Sequence, residues 1–162
     1  MELKKPERKD SSRKKRTGPT RSAEKNRIYR HRGNWSWEGV RTERYKPLHA
    51  GWLSVVRRVL VGNKGERARF HVRYFEITSG GFTTLEMHRH EHAVIILRGH
   101  GRVRIGKRIS EVGYLDTIFI KPCTPHQLQN PYQEPFGFLC IVNARRDKPV
   151  PLICPPDCRT DS

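Results

Sequence analysis

Arg69-Phe70-His71-Val72-Arg73-Tyr74 exchanges a polar for an apolar side chain at every step, and this alternation decides the fold class. Successive side chains of an extended strand point to opposite faces, so a period of two marks a strand with two different environments. The same texture recurs outward from it, at Ser54 to Val61, Phe82 to His88, Ala93 to Leu97, Arg102 to Ile105, Thr117 to Ile120 and Phe136 to Val142. Turn residues separate the runs at Gly62-Asn63-Lys64-Gly65, Gly80-Gly81, Gly99-His100-Gly101 and Asn130-Pro131. No amphipathic helix of respectable length interrupts them. The expectation is an all-β domain, an antiparallel sandwich or barrel.

The flanks differ in kind. The chain has 162 residues and a net charge of +17, enough for one ordinary domain. Residues 1–33 hold 13 Lys and Arg against 4 Asp and Glu, and residues 34–162 hold the other 20 and 12. Only Met1, Leu3, Ala23, Ile28 and Tyr29 are apolar in the first segment, too few to offset the entropy of ordering it. We expect a disordered basic tail over 1–33, a barrel over 34–148 and a loose tail over 149–162. The composition excludes collagen and coiled coils, and no apolar stretch approaches the ~20 residues of a membrane-spanning helix. A basic start with no apolar region behind it does not read as a secretory signal. Cys123, Cys140, Cys154 and Cys158 are then expected as thiols in a reducing cytoplasm.

The chemistry concentrates in Leu85-Glu86-Met87-His88-Arg89-His90-Glu91-His92. Glu86 and His88 fall on one face of a strand, and a turn at Arg89 to Glu91 returns His92 on the neighbouring strand. Imidazole and carboxylate are the usual ligands of a divalent transition metal. From these residues alone, a solvated histidine-rich strand edge is an equal reading. A second segment shifts the balance. Leu115-Asp116-Thr117-Ile118-Phe119-Ile120-Lys121-Pro122-Cys123-Thr124-Pro125-His126-Gln127-Leu128-Gln129-Asn130 reads as a strand, a turn and a second strand opening with a histidine. Pro125 fixes the backbone just before it.

Together the two segments resemble the motifs of the cupin superfamily, in its small single-domain members. The first motif there runs Gly, five residues, His-x-His, three or four residues, Glu, six residues, Gly. This chain has Gly80, Glu86, His88, His92 and Gly99 at those spacings, with glutamate at the usual first histidine and histidine at the usual glutamate. In the second motif His126 and Asn130 match, whereas Leu115, Lys121 and Cys123 stand where Gly, Pro and Gly are usual. The resemblance implies a double-stranded β-helix, the cupin jelly-roll barrel, with one divalent ion (Mn, Fe, Zn, Ni or Co) held by Glu86, His88, His92 and His126. It sets aside the continuous triplet His88, His90, His92, because the turn would then have no residues. His90 is left as a neighbour of the ligands or an alternative to Glu86, with Gln127 and Asn130 also near the site. His49, His71 and His100 have no partners in spacing, and Cys123 falls near the expected mouth of the barrel.

Three functional classes follow. The first is a metal-dependent enzyme, oxygenase- or isomerase-like, acting on a small organic substrate with Glu86 as ligand and base. The second is a non-catalytic module binding a small ligand on the same barrel. The third is a nucleic-acid-associated protein, supported only by the basic tail. Phe70, Tyr74, Thr84, Phe119, Gln127 and Phe138 are the candidates for lining the interior. The resemblance also implies a homodimer, and the tail implies weak, nonspecific polyanion binding that salt screens. No membrane partner is expected.

Overall fold

The computed structural model describes residues 26–47 and 50–152. Its described residues form β1 (Glu43–Arg44), β2 (Leu53–Val61), β3 (Phe70–Phe82), β4 (Glu86–Met87), β5 (His92–Arg98), β6 (Gly101–Ile105), β7 (Arg108–Val112), β8 (Thr117–Ile120), β9 (His126–Gln129), β10 (Phe136–Asn143) and β11 (Val150–Pro151). Every pairing is antiparallel. One layer runs β1-β2-β3-β10-β5-β8, and the other runs β7-β6-β9-β4-β11. Strand β3 belongs to both, because Phe82 at its end pairs with Gln129 of β9. The crossing passes through Gly80, whose φ is +71°, and Gly81, where a Cβ would meet the Leu53 carbonyl oxygen at 2.8 Å. Gly80-Gly81 is therefore a bend within a strand, and not the turn its composition predicts. The expected strand from Phe82 to His88 correspondingly shrinks to Glu86–Met87.

The alternation is present, with its phase opposite to a simple reading. Register pairs Arg73 with Cys140, Phe75 with Phe138, and Cys140 with Val94, Phe138 with Ile96. This row faces the interior, where Phe75, Ile77, Val94, Ile96, Val103, Leu128, Phe136 and Phe138 from both layers form one core. Phe70, Val72 and Tyr74, the apolar stripe of the opening hexapeptide, occupy the opposite face. Phe70 and Phe119 are 48% and 68% exposed, so neither lines the interior. Tyr74 is 0% exposed but is covered from outside, with the Trp35 ring stacked 5.4 Å from its own and Trp37 at 5.1 Å.

Those tryptophans belong to a segment that packs on the barrel, and the residues just before them pack too. His31 bridges to Trp37, Tyr29 hydrogen-bonds Glu66, and the Lys64 ammonium sits 4.3 Å from the Tyr29 ring. The boundary expected at Gly33 thus falls inside a packed stretch, because aromatic anchors carry burial that a count of apolar residues undervalues. Residues 1–25 lie outside the described residues. The carboxyl tail behaves similarly at its start: Val150 and Pro151 pair with Met87 and Glu86. Cys154, Cys158 and His49 lie outside the described residues.

Two of the motif positions lacking glycine keep the backbone a glycine would adopt. Leu115 has φ +69° and Cys123 φ +56°, the left-handed region that side chains disfavour. The turn at Cys123 aims its N–H at the carbonyl of His88, 2.7 Å away, and so ties the β8–β9 connection to the histidine cluster.

Candidate metal centre

Three strands' ends bring His88, His92 and His126 together. His88 follows β4, His92 opens β5 and His126 opens β9, and one ring nitrogen from each lies within 4.8 Å of the others. All three side chains are buried. Their outer nitrogens are committed to acceptors. The Nδ1 of His88 lies 2.8 Å from the His90 carbonyl oxygen, and that of His126 lies 2.8 Å from the Thr124 carbonyl oxygen. A carbonyl only accepts, so both Nδ1 atoms carry the proton and both Nε2 atoms present a lone pair. The Nδ1 of His92 contacts the Cys140 Sγ at 3.2 Å, a group able to donate or accept.

The Nε2 atoms of His88 and His92 are 2.7 Å apart. Two bare lone pairs repel at that distance, so one proton or one cation must lie between them. Without a metal, His92 donates from Nε2 to His88 and accepts the Cys140 S–H on Nδ1. With one, the His92 proton sits on Nδ1 facing sulfur. Burial and the neighbouring His90 and His126 lower the His88 pKa to about 4. Burial, His126 and His88 lower that of His92 to about 2. Burial lowers that of His126 as well. The three are neutral imidazoles at neutral pH, the form that ligates. This donor set fits a divalent transition metal, with outer hydrogen bonds that fix the tautomers and ring planes of His88 and His126.

Glu86 stands opposite His126 in the β4–β9 register and lines the same pocket as His92 and His126. Its carboxylate is paired with the Lys46 ammonium, and it lies outside the group of converging histidine nitrogens. His90 occupies the turn between β4 and β5 and stacks on His88 with ring centroids 3.6 Å apart. Its Nδ1 donates to Asp147 Oδ1 at 2.7 Å, while Asp147 Oδ2 accepts the Arg89 N–H. Those two bonds hold the Asp147 carboxyl down at about 2. The side chains of Gln127 and Asn130 are turned to structural partners, the carbonyls of Thr83, Ile77 and Glu134. Thr84 hydrogen-bonds the Ala50 carbonyl; of the six interior candidates, Phe138 lines the pocket. Cys123 is exposed, His71 accepts a hydrogen bond from Arg146, and His100 packs on Tyr132.

Four site residues carry weak sequence signals or none. Cys140 shares the parity of Phe138 and Val142, which would have placed it inward. Arg73 reads as a polar position of an alternating strand, and Lys46 and Asp147 are distant in sequence from both motifs.

The comparisons agree with this geometry. The cupin domain family matches residues 73–142. The 1-methylthio-D-xylulose 5-phosphate methylsulfurylase of Rhodospirillum rubrum is 42% identical over 116 residues, 71% of this chain and 73% of that protein. A cupin-2 domain of known structure from the same organism is 38% identical, with a TM-score of 0.68, covering 78% of this chain and 84% of the other. A cupin 2 conserved barrel protein from Rhodopseudomonas palustris is 39% identical with a TM-score of 0.70, covering 76% and 85%. Two layers of antiparallel strands around a histidine cluster, and kinship of this extent, place the chain in the cupin superfamily.

Proposed function

We propose that this protein is a metal-dependent enzyme acting on a small phosphorylated sugar, of the kind named in its methylsulfurylase relative, a ketopentose 5-phosphate bearing a methylthio group. The observation that carries this reading is that two imidazoles of the converging cluster, His92 and His126, line a pocket together with Lys46, Arg57, Arg73 and Arg146, cations suited to an anionic substrate. His88, His92 and His126 would hold the ion, which would supply a Lewis acid for a substrate carbonyl or enolate oxygen. Glu86 is the one carboxylate among the pocket's lining residues. Placed there, it serves as the base that takes or returns a proton beside the carbonyl, its orientation set by Lys46. Should it leave Lys46, it becomes the fourth ligand.

The test is elemental analysis of the purified protein, followed by proton NMR of the methylthio signal of 1-methylthio-D-xylulose 5-phosphate. About one divalent metal per chain is expected and, with a low-molecular-weight thiol supplied to take the methylthio group as a mixed disulfide while the enolate left behind is protonated, loss of the substrate's methylthio signal. Glu86→Gln should depress turnover by roughly two orders of magnitude, the scale of a positioned acid–base group, and leave most of the metal in place. Metal-loaded protein that leaves the compound intact would overturn the reading in favour of a ligand-binding module.

A further inference from the structure

Four cations line the pocket, and they are not equivalent. Lys46 is paired with Glu86 and Arg57 with Glu43, its Nη2 2.8 Å from Oε2. Arg73 and Arg146 have no carboxylate partner among the described residues. Arg73 enters from the inward row of β3. Its Nη2 donates to Cys140 Sγ at 3.3 Å, while its Nε is buried with no hydrogen-bond partner. Arg146, just past β10, donates from Nη1 to His71 Nδ1 at 3.0 Å and, more weakly, to the Asn143 carbonyl at 3.4 Å. Burial and the nearby Arg73 guanidinium hold Arg146 below its ordinary value.

Two guanidiniums that repel each other, one with an orphaned buried N–H, are a costly arrangement unless an anion joins them. We propose that Arg73 and Arg146 form an anion subsite that takes the phosphate monoester of the substrate. This rests on the sugar-phosphate reading and assigns the groups that would enforce it. The placement suits such a ligand. Cys140 touches both Arg73 Nη2 and His92 Nδ1, so the subsite lies one side chain away from the imidazoles. A short sugar phosphate spans that interval with its carbonyl at the histidines and its phosphate at the arginines. The guanidinium fork also matches phosphate oxygens in a way an ammonium does not.

The test is calorimetric titration of the full-length protein at 150 mM salt with inorganic phosphate, D-xylulose 5-phosphate and D-xylulose. Arg73→Met and Arg146→Met should each weaken phosphate and D-xylulose 5-phosphate at least tenfold while metal content stays unchanged. Arg104→Met, which removes the same charge outside the pocket, should leave both affinities as they are. Thermal melting checks that each variant folds, and the more peripheral Arg146 keeps the test open if Arg73→Met does not. Unchanged phosphate affinity in a folded Arg73→Met or Arg146→Met variant overturns the subsite, and tight D-xylulose 5-phosphate binding in that variant would leave the substrate reading standing. Phosphate binding lost in both variants, with D-xylulose 5-phosphate no tighter than phosphate in the wild type, upholds the subsite and removes the sugar.

Discussion

Arginines lie on both faces of β3, and the two faces differ in the carboxylates that stand beside them. On the outer face Arg98 Nη1 meets Glu76 Oε2 at 2.8 Å, the Tyr74 hydroxyl donates to the same oxygen at 2.9 Å, and Trp35 closes over Tyr74. One carboxylate thus answers both Arg98 and Tyr74 within the chain, although Arg58, whose guanidinium lies 5.9 Å from the Tyr74 ring on the same face, leaves its Nε and Nη1 without a hydrogen-bond partner. On the inner face the imidazole lone pairs of His88 and His126 converge, and Arg73 and Arg146 carry positive charge with no carboxylate paired to them among the described residues. A satisfied network rigidifies, whereas an unsatisfied one beside a cavity stores binding capacity for something the chain does not contain.

That contrast is most sharply tested by removing one member from each face. His126→Ala should lower metal content by at least an order of magnitude with a modest change in stability, and His90→Ala should leave metal content largely intact. Tyr74→Ala should do the reverse, costing about 3–5 kcal/mol in a urea titration, as for other buried aromatics, without altering metal content in the protein that remains folded. Equal metal loss in the His90 and His126 variants would return the site to the triplet His88, His90, His92.

Acid should also separate the faces. The inner histidines titrate lower when folded than the roughly 6.5 of an unfolded chain. The unfolded state therefore binds more protons below that pH, and metal-free protein loses stability as pH falls from about 6.5 toward 4. The loss approaches ~1.4 kcal/mol per pH unit for each histidine still neutral in the fold. His88→Gln should make the urea-midpoint curve shallower over this window, while Tyr74→Phe should lower it without changing its slope. A wild-type midpoint flat from pH 7 to 5 would contradict the neutral, buried cluster.

The smallest effect is expected outside both faces. Residues 1–25 carry ten of the thirteen cations of the basic segment. Their deletion should leave metal content and melting temperature unchanged. Most polyanion binding should go with them, binding that in the intact chain falls with salt at a slope of about −0.9 per phosphate neutralised. Deletion through Val40 should, by contrast, lower the melting temperature by several degrees, because it strips Trp35 and Trp37 from Tyr74. Equal melting of the two truncations would show that the aromatic cover contributes little.

Much was legible in the sequence because it is local. Period two gave the strands, and Pro125 before His126 and the spacing from Gly80 to Gly99 placed histidines at strand ends, since rise per residue and turn length are short-range geometry. Which face turned inward was not local. Phe70-His71-Val72-Arg73-Tyr74 reads as apolar against polar, yet the apolar side lies outside and Arg73 lies within, because the following Phe75 and Ile77 share the parity of Arg73 and pack against β5 and β10. The covering of Tyr74 by Trp35 and Trp37, the pairing of Glu86 with Lys46 and of His90 with Asp147, and the union of Arg73 with Arg146 join residues 37 to 73 positions apart. No periodicity reports such partners, since each exists only after the sheet has closed and chosen what it buries. The sequence by itself determined the strands and the imidazoles, and the closure of the two layers decided which charges were left without a partner.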